Sequence, residues 1–286
     1  MEPKTLEILL KYVRFDQRAS LALYIPSILP NEVSLDYFHL SDLSLTIDTV
    51  TYDFYEFWNF WIPSPPSKQE MKRIRDQKHF GNLFLRKIDL IGRWEHKVPL
   101  GITQGEAERK LIHFLIGKYE MVKIRRLRID DVEDFMERIG EERKGKIWVE
   151  ELGVQDGMEF QRICSFLNQG SFPLKKLEIE AKGDVDWDDE RIQSARCLKI
   201  KAEPGFDSNK FLKTYLTRNH PQGTRLTLQV QNTSEILGIF DFLEENYSLK
   251  GLQLGRETIM DLGMCRMKLF EGSFWWIFDL EVLKLI

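Results

Sequence analysis

The sequence predicts an α/β fold in which short strands and amphipathic helices alternate through the second half of the chain and form an irregular arc. The main observation is a recurring pattern, φ-x-x-φ-x-φ, in which φ is an apolar residue and x is any residue. Units of this pattern begin at residues 124, 149, 174, 195, 249 and 280, and a related L-x-L unit begins at residue 223. Nearly even spacing of this kind indicates stacked supersecondary units.

The segments between these strands carry apolar residues at three- and four-residue spacing, which is typical of amphipathic helices. Such helices are predicted around Phe135, Phe160, Phe211 and Ile239. A repeated strand and helix places the strands in parallel with the helices on one side. The pattern resembles a leucine-rich-repeat solenoid. The Asn or Cys ladder of that repeat is missing, so we expect a short and irregular leucine-rich-repeat-like arc.

The first part of the chain has a different pattern. Two short helical segments, separated near Asp16 and ended by Pro26, predict an N-terminal helical hairpin. Apolar alternation from Leu43 to Phe54, with a turn at Asp48-Thr49, predicts a β-hairpin. We therefore expect three regions: a helical hairpin at 1–30, a β-hairpin and linker region at 31–120, and strand–helix repeats at 121–286.

The composition limits the class of protein. The chain has 286 residues, of which 43% are hydrophobic, and this is enough for a packed core. A net charge of -4 argues against a general nucleic-acid-binding protein. Cys164, Cys197 and Cys265 lack metal-binding spacing and are expected to be reduced thiols. Without a signal sequence or a membrane-spanning stretch, we expect a cytoplasmic or nuclear protein with no membrane partner.

The sequence contains no motif for catalysis or metal binding. Its five histidines lack the spacing of a metal site, and no nucleophile elbow or phosphate-binding glycine loop occurs. Glu95 and His96 are neighbours on a predicted strand and therefore point to opposite faces. The acidic run from Asp184 to Glu190 lacks the glycine and the last glutamate of an EF-hand. We therefore expect no catalytic residue, metal or cofactor, and a protein that is not an enzyme.

Two segments each allow two interpretations. The Pro-rich and basic residues at 63–79 fit either a solvated surface loop or a contact for phosphates or an acidic partner. The aromatic residues at 274–278 fit either a cap over the core or an anchor for a partner protein.

Several segments resemble a nematode protein family. The segment from Glu106 to Ile129 looks like the signature of a lineage-expanded nematode domain of unknown function. Leu174–Ile179 and Gln193–Ile200 are similar to the FTH domain, which is the F-box-associated repeat of nematode F-box proteins. The first helical hairpin resembles a degenerate F-box. It lacks the leading Leu-Pro of that motif.

This resemblance implies a non-catalytic protein–protein interaction module that serves as a substrate receptor of a cullin–RING ubiquitin ligase. In F-box proteins the N-terminal helices bind a Skp-type adaptor, and the resemblance places that role on Leu9, Leu10, Leu21 and Tyr24. The same hairpin could instead pack against the core. The sequence is also compatible with a general scaffold and with an enzyme whose site assembles only in the fold. A buried cluster of titratable residues in a pocket favours the enzyme, and a broad open strand face favours recognition.

The predicted arc has one face that its helices leave uncovered. On that face the x residues of neighbouring strands lie side by side. They are polar and of mixed sign, which suits a protein partner better than a phosphate backbone. The predicted partner-binding residues are Arg126, Arg128, Lys176, Glu178, Lys199, Arg225 and Gln253.

Overall fold

The chain forms two compact units, which comprise residues 1–149 with 165–168 and residues 150–164 with 169–286. The computed structural model describes residues 32–41, 44–56, 70, 73, 76, 83–98, 101–181, 185–218, 220–231, 233–247, 258–261, 265–271 and 276–282. The three-region division expected from the sequence stays a prediction.

The first unit contains a mixed sheet with helices packed on it. Its strands are β1 (Glu32–Leu40), β2 (Ser44–Ile47), β3 (Val50–Glu56), β4 (Leu83–Ile88), β5 (Arg93–Lys97) and β6 (Met121–Ile129). Its helices include α1 (Gln104–Ile116) and α2 (Val132–Ile139). The strand order is β6-β1-β2-β3-β4-β5. β1 pairs with β6 in parallel, and the other pairs are antiparallel.

Alternation of apolar and polar residues explains the core of the first unit. In β6, Ile124 and Leu127 are buried, whereas Arg125 and Arg126 between them are exposed. α2 packs against β1 through an edge-to-face contact between Phe135 and Phe38, whose ring centroids are 6.2 Å apart. These contacts fix the position of α2 on the sheet.

Specific side chains fix both ends of α1. At the N-terminal end, Thr103 forms a capping box with Glu106. At the C-terminal end, the buried guanidinium of Arg143 donates to the carbonyl of Ile116 over 2.8 Å. α1 is therefore held in one register relative to its neighbours.

The second unit contains a parallel sheet with an antiparallel extension. β7 (Ile147–Val154) begins in the first unit and is followed by β8 (Lys176–Ala181), β9 (Cys197–Ala202), β10 (Arg225–Val230), β11 (Thr258–Asp261), β12 (Cys265–Glu271) and β13 (Trp276–Val282). The helices are α3 (Gly157–Phe166), α4 (Glu190–Gln193), α5 (Ser208–Leu216) and α6 (Thr233–Tyr247). In the order β7-β8-β9-β10-β13-β12-β11, the pairs that follow β10 are antiparallel.

A row of leucines crosses the core of this second sheet. The strand register places Leu152, Leu177, Leu198, Leu226 and Leu280 next to one another. None of them is more than 2% exposed. Leu177, Leu198 and Leu226 belong to the predicted strand units that begin at residues 174, 195 and 223. Leu252, of the unit that begins at residue 249, lies outside the described residues.

The predicted leucine-rich-repeat-like arc is wrong. A repeat arc requires parallel strands in chain order, whereas β13 pairs with β10 in antiparallel orientation. In addition, β1 to β5 form an antiparallel meander, and β1 pairs in parallel with the distant β6. The apolar pattern failed to show this because alternation determines which side chains are buried and not the direction of the strand.

The local elements were predicted more accurately than their arrangement. Helices α2, α3, α5 and α6 lie where the spacing of apolar residues placed them. β2 and β3 form the predicted hairpin, with its turn at Asp48 and Thr49. Asp48 has a positive φ of 54°, and its Oδ1 accepts hydrogen bonds from the backbone of Asp36 and Tyr37. The predicted helical hairpin at 1–30 lies outside the described residues.

Candidate functional site

Three charged side chains meet between α1 and α2. Glu108 lies on α1, and Asp134 and Arg138 lie one turn apart on α2. Nη1 of Arg138 is 3.3 Å from Oε2 of Glu108, and Nη2 is 2.5 Å from Oδ2 of Asp134. The side chains of Glu108 and Arg138 are only 6% and 5% exposed. Charges withdrawn from water to this degree require partners at short range, and this cluster supplies them.

Hydrogen bonds hold the Glu108 carboxylate in one orientation. Gln104, one turn earlier on α1, donates from Nε2 to Oε1 of Glu108 over 2.7 Å. Arg138 is fixed in turn by donation from Nη1 to the carbonyl of Ser41 over 3.1 Å. Glu108 therefore has an amide on one oxygen and a guanidinium near the other.

A cleft of about 30 Å³ borders this cluster. Its lining is mostly charged, and its residues are Asp76, Gly105, Glu108, Arg109, Asp134, Glu137 and Arg138. Four carboxylates face two guanidiniums, so the cleft has a net negative charge. Its volume suffices for one or two water-sized groups.

A second cavity, of about 10 Å³, borders the same Glu108 and Arg138. Most of its lining is apolar and comes from Leu40, Leu45, Phe54, Leu111 and Ile112. The ion pair thus has a polar cleft and an apolar cavity as neighbours. Within the described part of the chain, the buried Nε of Arg138 has no hydrogen-bond partner.

The predicted partner-binding residues of the second unit lie on neighbouring strands. Lys176 of β8 and Arg225 of β10 both lie opposite Cys197 of the intervening strand β9. Glu178 of β8 lies opposite Lys199 of β9. Oε1 of Glu178 accepts from Nζ of Lys199 over 3.0 Å. Burial alone would raise the pKa of the Glu178 carboxyl. The hydrogen bond from Lys199 and the charges of Lys176 and Lys201 outweigh this effect, so the pKa is lowered overall. This polar face is therefore neutralised largely by its own ion pairs.

Arg225 has a different neighbour from the one expected. The predicted arc placed Gln253 in the next strand, but the next strand is β13, which presents Glu281. Nη2 of Arg225 is 2.9 Å from Oε1 of Glu281, and this hydrogen bond raises the pKa of the guanidinium. Gln253 itself lies outside the described residues.

Arg126 and Arg128 of the first unit are also paired with acids. Nη2 of Arg126 is 3.0 Å from Oδ2 of Asp36, and Nε of Arg128 is 3.5 Å from Oδ1 of Asp130. The hydrogen bond from His39, over 3.1 Å, is the main cause of a lowered pKa of Asp130. The role of these arginines in partner binding stays a prediction. The same holds for Leu9, Leu10, Leu21 and Tyr24, which lie outside the described residues.

Other expected sites offer no second centre within the described residues. No three His, Cys, Asp or Glu side chains there are close enough to hold a metal ion. No helix of the described residues is long and apolar enough to cross a membrane. Burial raises the pKa of the Cys164 thiol to about 12, so this thiol is unreactive.

Comparison with known proteins gives only distant similarities. No family model and no curated protein matches the chain. It is similar to an rRNA methylase from Streptococcus thermophilus, with a TM-score of 0.25 and 14% identity over 48% of this chain and 75% of that one. It is also similar to a precorrin-6y C5,15-methyltransferase from Geobacter metallireducens, with a TM-score of 0.25 and 9% identity over 63% of this chain and 88% of that one. A third similar structure is the MTase domain of METTL16, with a TM-score of 0.25 and 12% identity over 86% of this chain and 98% of that one.

These findings correct the resemblance to the nematode F-box-associated family. The chain matches no family model, and the three solved structures named above are methyltransferases rather than F-box or leucine-rich-repeat proteins. Three further predictions are wrong for the same reason. They are a non-catalytic interaction module, a ubiquitin-ligase receptor and a protein that is not an enzyme. At these TM-scores the similarities assign neither a substrate nor a site to this chain.

Sequence reasoning missed the cluster of Glu108, Asp134 and Arg138. A signal was present, because Gln104, Glu108 and Ile112 recur every four residues on one face of α1 and all three are buried. A charged residue in the apolar stripe of a helix indicates a paired or functional group. Its partner comes from α2, and no local pattern identifies that contact.

Proposed function

We propose that this chain is an enzyme that acts on the amino group of a small cationic substrate and that Glu108 takes the proton from this amino group. The observation that carries the proposal is a buried and oriented carboxylate beside a cleft of net negative charge. Buried titratable groups that line a cleft are characteristic of active sites.

The size and charge of the cleft favour a terminal ammonium group. An ammonium group is about as large as a water molecule, and the 30 Å³ cleft holds a group of that size. Asp134 and Glu137 line the cleft together with Glu108 and favour a cation. The remainder of the substrate would stay outside, next to the exposed side chains of Arg109 and Glu137.

The chemistry follows from the protonation state of an amine. An ammonium nitrogen has no free electron pair, so it must lose a proton before it attacks an electrophile. A carboxylate within hydrogen-bond reach can accept that proton as a general base. Gln104 and Arg138 keep Glu108 in place for this transfer, and Arg138 acts as a positioning residue through its contact with Oε2.

Glu108→Gln tests this role and retains an acceptor for Gln104. The exposed Glu120 provides a matched control, Glu120→Gln. Melting temperatures would be measured with a panel of primary amines and with their uncharged isosteres. We expect amines to raise the melting temperature of the wild type and of Glu120→Gln, but not that of Glu108→Gln.

The amine that stabilises the protein would then be incubated with methyl, acyl and phosphoryl donors, and modified amine would be sought by mass spectrometry. The wild type should form product, and Glu108→Gln should lose roughly 100-fold or more in rate, as expected for removal of a general base. Stabilisation of Glu108→Gln by the same amines, or stabilisation by the neutral isosteres alone, would refute the proposed site.

We further propose that the protein works in the cytoplasm or nucleus. The described cysteines, Cys164 and Cys197, are free thiols, which suits a reducing compartment. Imaging of the tagged full chain tests this location, and secretion into the medium would contradict it.

A further inference from the structure

The hairpin of β4 and β5 ends in exposed apolar side chains. Leu90 is 87% exposed and Ile91 is 74% exposed, and the nearby Trp94 and Ile88 are 41% and 38% exposed. Single exposed apolar residues are common, but a group of four at one end of a hairpin is typical of an interaction surface.

The turn holds these side chains at the tip. Oδ1 of Asp89 accepts from the backbone N–H groups of Ile91 and Gly92 over 2.8 and 3.1 Å. The N–H of Asp89 donates to the carbonyl of Gly92 over 3.0 Å. An Asp that bonds its own turn in this way closes the loop, so Leu90 and Ile91 project from an ordered turn.

Basic side chains lie directly behind the apolar tip. The strand register places Ile88 opposite Arg93 and Lys87 opposite Trp94. Arg86 and Lys97 follow further from the tip. Nζ of Lys87 lies 3.8 Å from Oδ2 of Asp89, and Arg93 and Arg86 are ion-paired with Glu95, so the four cations exceed the two carboxylates of the hairpin by two charges. The hairpin is therefore positive in a chain whose net charge is -4.

We propose that this tip binds the surface of an anionic lipid membrane. Leu90 and Ile91 enter the boundary of the acyl chains, and Trp94 lies at the level of the headgroups, where Trp is enriched in membrane proteins. The net positive charge of the hairpin attracts lipid phosphates, which draw basic residues to the membrane surface. The sequence had led us to expect no membrane partner, because this short apolar group stands out only once the turn displays it.

The charge pattern argues against a second copy of the chain as the occupant. Among the strands that the structure describes, β5 is the last of its sheet. Antiparallel pairing of two β5 strands about Glu95 would place the two Glu95 side chains together and Arg93 opposite Lys97. Like charges in opposite positions destabilise strand pairs.

Vesicle co-sedimentation of the full chain tests the proposal. The probes are vesicles of phosphatidylcholine with and without phosphatidylserine. The variant is Leu90→Ser with Ile91→Ser, and Met158→Ser is the control because Met158 is 60% exposed elsewhere on the chain. We expect binding to the anionic vesicles, a loss of roughly tenfold or more in the double variant, and no change in the control. Added salt should weaken binding.

Three results would overturn the proposal. They are no binding of the wild type to anionic vesicles, equal binding of the double variant, and a light-scattering mass that falls from dimer to monomer in the double variant without any vesicle binding. The last result would assign the tip to self-association. Melting temperatures confirm that the variants are folded, and Leu90→Ser alone replaces the double variant if that one unfolds.

Discussion

Replacement of Leu198 by Ala perturbs the centre of the leucine row in the second unit. Leu198 is 1% exposed, and Leu177 and Leu226 on either side of it are fully buried. Loss of three carbon atoms removes about 2.4 kcal/mol of transfer free energy, at about 0.8 kcal/mol for each group. The neighbouring strands are held by backbone hydrogen bonds, so the site cannot collapse fully and a cavity term adds to the cost. We expect a loss of about 3–5 kcal/mol in the free energy of unfolding.

Urea denaturation followed by circular dichroism measures this loss. Leu237→Ala is the matched control, because Leu237 is 43% exposed and its truncation should cost less than about 0.5 kcal/mol. Because the chain has two compact units, the curves are fitted without assuming a single transition. A midpoint for Leu198→Ala that equals that of the wild type would show that the register of β8, β9 and β10 is wrong.

Three further variants probe other contacts. Gly157→Ala would place a methyl group 2.4–2.8 Å from the side chain of Val185 and should lower the free energy of unfolding, measured with heat or urea, by about 1–3 kcal/mol. Gly238→Ala, for which the nearest neighbouring atom is 3.4 Å away, should raise it by about 0.5–1 kcal/mol. Equal effects of the two substitutions would contradict this packing. Burial lowers the pKa of His220 in the folded state, so the unfolded chain binds a proton at a higher pH than the folded chain does. The free energy of unfolding should therefore fall as the pH drops below about 6.5, and it should fall less in His220→Gln. The pKa of Glu178 is lowered in the folded state, so this side chain contributes stability above about pH 4.5, and the contribution is lost as the pH falls through the lowered pKa. Glu178→Gln should therefore cost about 0.5–1 kcal/mol at pH 7 and progressively less in more acidic solution.

The strands could be predicted from the sequence because the burial of alternate side chains is a local property. The two adjacent x residues of the φ-x-x-φ-x-φ pattern also lie within strands. Arg125–Arg126 lies inside β6, and Glu150–Glu151 lies inside β7. At these points the strand continues while its alternation shifts by one residue.

The arrangement of the strands could not be predicted in the same way. The pairing of β1 with β6 joins residues that are far apart in the chain, and Asp36 meets Arg125 and Arg126 only through this pairing. The antiparallel direction of β13 likewise depends on how the chain returns to β10. Such choices are set by tertiary packing and by connections, for which the sequence pattern has no local signal.

The most direct test of the central claim is the dissociation constant of the stabilising amine for the wild type, Glu108→Gln and Glu120→Gln, measured by titration calorimetry. We expect Glu108→Gln to lose at least about tenfold in affinity, because a buried charged partner contributes more than about 1.4 kcal/mol to the binding of a cation. Glu120→Gln should bind as the wild type does. Equal affinity of Glu108→Gln and the wild type, with both proteins folded, would contradict the proposed role of Glu108.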